Sequence, residues 1–302
     1  MIKHDAGELK AKLAGRRIVA SVSGGKDSAA MSLYLTELGL EHERVFMDTK
    51  WEHALTYEYL RGPLTKALGP ITELQPALGM EQLILKKGMF PSRVRRFCTQ
   101  ELKVRPLFKY LNDRVAGGED VLNTVGIRAA ESRARSQMAE WEWSEGLDCE
   151  VWRPIIAWSE QDVIDIHKRH GLAPNPLYLM GASRVGCWPC IYARKDEIRM
   201  VADTDPARID FIRDLEERVT AAMRARVAAR GEERTDGFAP SFFGLSVGDT
   251  RQCAPIDKVV AWSRTAKGGQ NLALFAPGPQ DEGCARWGLC ESLPPERADC
   301  DQ

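Results

Sequence analysis

Two groups of residues in this chain have types and spacings that can do chemistry. The first is Ser23-Gly24-Gly25-Lys26-Asp27-Ser28. Adjacent glycines let the backbone turn tightly and aim N–H groups inward, and a helix N-terminus behind them adds its dipole; together they make a seat for phosphate oxygens. In such a seat Lys26 neutralises phosphate charge, Ser23 and Ser28 offer hydroxyl hydrogen bonds, and Asp27 orders the loop or holds magnesium. A plain Gly-Gly turn with a capping serine would look the same in isolation, but the flanking strand and helix favour phosphate. The spacing is not that of a Walker A loop, because the four-residue gap between glycines is absent. The second group is thiols. Cys187-Trp188-Pro189-Cys190 has the two-residue gap that lets two thiolates reach one metal, and Cys284 and Cys290 form a looser pair further on.

Elements must position these groups. A short helix is expected over 7–15, a strand over 17–22, and a helix over Ser28–Leu38. A second strand is expected at Glu43–Met47, ending at Asp48, then a helix at Thr56–Leu68 and a short strand at Ile71–Leu74. Cys98–Val115 reads as a helix that tolerates Pro106 only as a kink or boundary. A strand at Val121–Ile127 carries Gly126 near its end, and Glu160–His170 is a helix closed by Gly171. Strands alternating with helices predict an α/β fold, a mostly parallel sheet with helices on both faces. The loops after Val22, Met47 and Ile127 should then converge at the carboxyl ends of the strands. The expected division is a nucleotide-binding catalytic domain over 1–205 and a helical and irregular C-terminal extension over 206–302. That extension has a long helix at Ala207–Arg230 and little periodicity after Gly244.

The 302 residues, 44% hydrophobic and 28% charged, suffice for a core without staples. A net charge of −1 excludes a global field for nucleic acid or acidic membranes, so any nucleic-acid contact must be local. No signal-peptide core and no membrane-spanning apolar run is present; a cytoplasmic location is expected. Eight cysteines in such a chain suggest metal or catalysis more than disulfides.

Several residues have an ordinary reading beside the functional one. Arg93, Arg95, Arg96, Lys103 and Arg105 form a dense basic segment, either anion-binding forks or surface arginines. Arg128, Glu131 and Arg135 would share a helix face as an ion-pair ladder, with Arg128 the better candidate for function. Asp48 at a strand tip binds magnesium or a ribose hydroxyl, or is a turn residue. His167 and His170, on a polar helix, are expected at the surface. Cys149 and Cys253 fit buried apolar thiols. The arginines of the long helix, Arg213 to Arg234, are expected in salt links with interleaved carboxylates, with a nucleic-acid backbone contact as the lesser reading.

Ser-Gly-Gly-x-Asp-Ser resembles the signature of the PP-loop ATP pyrophosphatases, which cleave between the α and β phosphates of ATP. Further segments narrow the resemblance to the phosphoadenosine phosphosulfate reductase-like branch: Asp48-Thr49-Lys50-Trp51-Glu52, Arg96-Phe97-Cys98-Thr99 with Lys103 and Pro106, Gly126-Ile127-Arg128, Arg153-Pro154-Ile155, and Gly186-Cys187-x-x-Cys190. Together they span roughly residues 16–200. The resemblance implies an adenine nucleotide α-hydrolase-like fold, ATP and magnesium at the loop, a nucleotide contact at Gly126 and Arg128, and a ligand contact at Lys103. It also implies a [4Fe–4S] cluster on Cys98, Cys187, Cys190 and a C-terminal cysteine. Here the family's double cysteine is replaced by Cys98-Thr99, so Cys290 or Cys284 would supply the fourth ligand. A zinc site on Cys187, Cys190, Cys284 and Cys290, and a redox dithiol without metal, remain the alternatives.

Three functions follow. In the first, ATP adenylates a substrate oxygen and a sulfur donor, such as a partner protein, displaces AMP, as in the thiolation and DNA phosphorothioation enzymes that this design resembles. In the second, a sulfonucleotide is reduced with release of sulfite, although the tail signature expected for that chemistry is reduced to Gly288-Leu289-Cys290-Glu291. In the third, the chain is a metal-stabilised nucleotide-binding module without turnover.

Overall fold

The computed structural model describes residues 4–231, 239–247, 250–266 and 287. In chain order the first half runs α1 (Ala6–Lys12), β1 (Arg17–Ser21), α2 (Lys26–Glu37), β2 (Glu43–Met47), α3 (Ala54–Tyr59), α4 (Thr65–Leu68), β3 (Thr72–Leu74), α5 (Met80–Lys87), α6 (Phe97–Thr99) and α7 (Arg105–Ala116). The rest runs β4 (Val121–Val125), β5 (Trp141–Ser144), β6 (Cys149–Trp152), α8 (Glu160–Arg169), α9 (Pro176–Leu179), α10 (Lys195–Thr204), α11 (Pro206–Ala229), β7 (Phe243–Val247), β8 (Thr250–Ala254) and α12 (Ile256–Ser263).

The main sheet has the order β3-β2-β1-β4-β6-β5. All its neighbours are parallel except the edge pair β5–β6. Side chains alternate across it, as the pleat requires. Ile18, Ala20, Phe46, Leu122 and Trp152 pack with α1, α2 and α8 on one face. Val19, Val45, Val121 and Cys149 pack with Leu107 and Leu111 of α7 on the other. Helix α2 is buried almost all round, which is why small and apolar residues (Ala29, Ala30, Met31, Leu33, Leu35) fill it. The expected α/β sheet covered on both faces is therefore the observed one.

Two expected helices are interrupted. The run expected over Thr56–Leu68 widens into a π-helical turn at Leu60–Leu64 containing Pro63. The run expected over Cys98–Val115 does the same at Gln100–Val104, immediately before Pro106 enters the first turn of α7. Proline has no N–H to close an i→i−4 bond, so the backbone is regular only once proline sits at a helix start. Elements with weaker periodicity were not legible: α5, α10, α12, the antiparallel edge pair β5–β6, and the β7–β8 hairpin after Phe242.

A second apolar cluster joins Trp51, Met80, Ile84 and Leu102 to Ile198, Ile212, Leu215, Val219, Phe242 and Val259. It contains the residues flanking the cysteines, so α10, α11 and α12 are packed beside the thiols. Glu216 of α11 is buried at their junction, where it accepts the Phe242 and Ile256 N–H groups at 3.0 and 2.9 Å. It is not one of the solvated carboxylates expected on this helix. Arg213 and Arg218 do make the expected salt links, to Asp257 and Asp210 and to Glu81 and Asp214. Among the described residues no helix is long and apolar enough to cross a membrane.

Candidate active site

Helix α2 begins at Lys26, with Gly25 as its N-cap. Gly24 has φ +74°, a conformation that glycine adopts without Cβ strain. The loop closes on itself: the Ser23 N–H donates to Ser28 Oγ at 3.1 Å, and the Ser28 hydroxyl donates to the Gly25 carbonyl at 3.0 Å. The neighbouring elements then hold it from outside. The Asn175 amide donates to the Gly24 carbonyl at 3.3 Å, the Lys26 N–H donates to the Tyr178 hydroxyl at 3.1 Å, and His167 Nε2 lies 2.9 Å from the Lys26 carbonyl. His167 is thus buried behind the phosphate loop, contrary to the surface position expected of it, while His170 is exposed and pairs with Glu37. Burial lowers the His167 pKa, which keeps the ring neutral so that one N–H donates to the carbonyl. Trp287, from the C-terminal part of the chain, packs on this shell, 5.3 Å from the His167 ring and 6.0 Å from that of Tyr178.

Lys26 is only 6% exposed. Its ammonium lies 3.4 Å from Glu160, 3.8 Å from Asp27 and 4.9 Å from the Tyr178 ring centroid. Arg128 follows β4 and is 5% exposed, with its guanidinium paired to Asp27. Two buried cations therefore flank one carboxylate at the start of α2. A polyphosphate entering here would meet both, with Asp27 and Glu160 as the charges it replaces. Gly126 explains why β4 reaches the loop so closely: a Cβ there would lie 2.6 Å from both the Asp27 carbonyl oxygen and the Ser28 Cα. Arg128, Glu131 and Arg135 do not share a helix face. Arg128 is extended and two short 3-10 turns follow, with Glu131 paired to Arg135 and accepting the Arg128 N–H at 2.9 Å.

The segment after β2 reaches the thiols. Asp48 is fully buried and accepts the Lys50 N–H (2.8 Å), the Lys50 ammonium (2.7 Å), the Tyr57 hydroxyl (2.7 Å) and the Gln75 amide (3.1 Å). Burial alone would raise its pKa, but these hydrogen bonds outweigh it and hold the carboxyl below its ordinary range. Its lone pairs are therefore taken by protein groups. Tyr57 also lies 3.0 Å from Glu52, the Thr49 hydroxyl donates to Glu52 at 2.7 Å, and Thr49 Oγ1 lies 3.7 Å from Cys187 Sγ. The carboxyl ends of β1, β2 and β4 thus converge as the topology requires.

Cys98, Cys187 and Cys190 gather on the far side of this chain of contacts, packed against the second apolar cluster. Lys103, brought round by the π-helical turn, is half-buried among them. The Cys187 thiol, acting against burial, raises the Lys103 pKa, with Glu52, Cys190 and Cys98 adding to the effect. Burial pushes the Cys187 thiol up to about 11, and Lys103 pulls against it. The Tyr192 N–H donates to Cys190 Sγ at 3.5 Å. Lys103 thus stands with the thiols rather than at the phosphate loop. Cys284 and Cys290 lie outside the described residues. Cys149 is buried as expected, whereas Cys253 is exposed.

Among the described residues, no three His, Cys, Asp or Glu side chains close on a single metal ion. A [4Fe–4S] cluster asks for something different, thiolates on separate irons. The three gathered thiols, the N–H to Cys190 and the cation of Lys103 are donors and charge of the kind that such an anionic cluster needs. Cys98, Cys187 and Cys190 are the described thiols that stand together with Lys103.

One residue here had no signal in the sequence. Arg208 of α11 stacks on Trp51 at 3.9 Å and donates from Nε to the Trp188 carbonyl at 2.7 Å. Burial lowers its pKa to about 10. In the sequence it is one arginine among many on an arginine-rich helix.

A phosphate-binding loop at the carboxyl ends of a mostly parallel sheet defines a nucleotide-binding α/β protein. The phosphoadenosine phosphosulfate reductase domain model matches residues 17–193, and the chain belongs to that family. A 37.8 kDa protein from the gpa 5′ region of Escherichia phage 186 is 32% identical over 339 aligned positions, which cover 90% of this chain and 96% of the phage protein. The adenosine 5′-phosphosulfate reductase of Allochromatium vinosum is 31% identical over 99 residues, 33% of this chain and 36% of that enzyme. Among solved structures, the phosphoadenylyl-sulfate reductase of Candida auris in a phosphate complex aligns with a TM-score of 0.46 and 17% identity, covering 61% of this chain and 87% of that one.

Proposed function

We propose that this chain is an ATP pyrophosphatase of the adenylating kind that activates a substrate oxygen for sulfur transfer. The observation that carries the reading is the pairing of a phosphate loop, with Lys26 and Arg128 buried on either side of Asp27, and a separate thiol cluster reached through Glu52 and Thr49. In the first step a substrate oxygen attacks the α phosphorus of ATP; the new O–P bond forms as the bond to the β-phosphate oxygen breaks and pyrophosphate leaves. Lys26, Arg128 and the N–H groups of the Gly24-Gly25 turn stabilise the charge that builds on the departing pyrophosphate, a preorganised electrostatic role. Magnesium would be held by Asp27 rather than by the saturated Asp48, and would supply further positive charge against the phosphates. In the second step a sulfur nucleophile displaces AMP.

A [4Fe–4S] cluster on Cys98, Cys187, Cys190 and one of Cys284 and Cys290 would supply the iron site at which a donor sulfur is held. This chain's own residues orient that site: the Tyr192 N–H donates to Cys190 Sγ and Lys103 balances the charge of the sulfurs.

Reduction of a sulfonucleotide is the second reading, favoured by the similarity of this chain to adenosine 5′-phosphosulfate reductases over a third of its length. Parallel incubations separate the two. Pyrophosphate and AMP formed from ATP support adenylation; sulfite formed from adenylyl sulfate or its 3′-phosphorylated form, with ATP left intact, replaces it with reduction.

A further inference from the structure

The turn between α5 and α6 carries Arg93, Val94, Arg95 and Arg96, all exposed, with Val94 92% exposed. The turn is built rather than loose. The Ser92 N–H donates to the Arg95 carbonyl at 3.1 Å, the Arg95 N–H donates to Ser92 Oγ at 3.0 Å, and Phe90 and Pro91 are buried beneath it. Among the described residues none of the three arginines has a carboxylate partner. Their contacts are Arg95 with Met89 Sδ, Arg96 with Thr99 Oγ1, and Arg93 and Arg96 with the Tyr192 ring at 5.4 and 5.3 Å. Nearby cations differ: Arg105 and Lys87 share Glu101, and Arg184 pairs with Glu197. In a chain of net charge −1, three uncompensated guanidiniums within four residues form a local positive surface. Stacking of Arg93 and Arg96 on Tyr192 leaves in-plane N–H groups of both available to phosphate oxygens. Tyr192 and Arg96 each stand two residues from a gathered thiol, Cys190 and Cys98.

We propose that this surface docks a single-stranded polynucleotide. Small anions are recognised in pockets, whereas these arginines are spread along an exposed turn, as repeated phosphates require. The exposed Val94 and the aromatic ring between the guanidiniums offer apolar and stacking surface to unpaired bases, which an acidic peptide does not present.

The test is fluorescence anisotropy of a labelled single-stranded DNA of about twenty nucleotides, titrated without ATP across a series of salt concentrations. Each neutralised phosphate contributes about 0.7 to the slope of log affinity against log salt for single strands, so the R93A/R95A/R96A variant should lose about 2 from that slope. Its affinity at moderate salt should fall at least tenfold. Arg213→Ala, whose cation is already neutralised by Asp257 and Asp210, should leave the slope unchanged, and circular dichroism shows whether the triple variant remains folded. An unchanged slope in the folded triple variant, no binding by the wild-type chain, or equal binding of a polyglutamate peptide overturns the proposal. Because the titrations contain no ATP, a failure of pyrophosphate release would sink the adenylation reading and leave the docking surface standing.

Discussion

Glu52 and Cys187 pair in an isolated antiparallel β-bridge. The bridge is extended by the Trp188 N–H, which donates to the Trp51 carbonyl at 2.8 Å, and by the Trp51 indole, which donates to the Pro189 carbonyl at 3.0 Å. The strand that ends at the nucleotide site is thereby fastened to the cysteine turn.

Arg208 clamps that bridge from α11. Arg208→Ala removes its stack on Trp51 and leaves the Trp188 carbonyl without its donor, at a cost of about 2–3 kcal/mol. Denaturant unfolding should show that loss, and Arg208→Lys should recover only part of it, because an ammonium lacks the planar fork. A variant as stable as the wild type would show that the clamp is ornamental.

Gly126→Ala should be more damaging than its size suggests. The added methyl would meet the backbone of Asp27 and Ser28, which cannot swing aside. Overpacking of this kind costs about 1–3 kcal/mol. The more telling readout is nucleotide affinity, which should fall further than stability does, since the shift falls on the phosphate loop itself. Unchanged ATP binding in the variant would mean that β4 does not set the loop's position.

His42 gives the chain an acid-sensitive term. Its Nε2 lies 2.8 Å from Ser32 Oγ and its Nδ1 2.8 Å from the Leu40 carbonyl, and burial lowers its pKa from 6.5 to about 4. The depressed folded value means that the neutral ring is favoured by folding. Its contribution is therefore complete above pH 6.5 and is lost as pH falls toward 4, reaching about 3 kcal/mol at the lower end. Unfolding measured from pH 7 to 4 should show this decline in the wild type and a shallower one in His42→Gln. Parallel curves would place the acid sensitivity elsewhere.

Metal analysis of protein purified without oxygen should give about four irons and four acid-labile sulfides per chain, with a broad visible band. Cys98→Ser should lower all three. One zinc with no sulfide would make the thiol site structural and remove the iron chemistry from the proposal.

Strands β1 to β4 and the phosphate loop were legible because both are written in short, contiguous signals: β-rich runs, and two glycines between a strand and a helix. The thiol cluster was half legible. Cys187 and Cys190 announce themselves by spacing, whereas Cys98 is named with them only through the resemblance of Arg96-Phe97-Cys98-Thr99, because no spacing in the sequence ties it to them. His167 was misplaced for a similar reason. Its helix has charged neighbours on the exposed side, and the carbonyl that buries it belongs to Lys26, far away in sequence. Arg208 and Glu216 show the same limit, since both sit on a helix whose charges look uniformly solvated until its partners are known.

The loop around Lys26 is proposed to cleave ATP between the α and β phosphates. Incubation with ATP labelled at the α phosphate, in the presence of magnesium and a polynucleotide as trial acceptor, tests it most directly. Labelled AMP or an adenylated acceptor with stoichiometric pyrophosphate is expected from the wild type, with loss of turnover in a folded Lys26→Ala variant. Labelled ADP with free phosphate, or a Lys26→Ala variant that releases pyrophosphate as fast as the wild type, would contradict it.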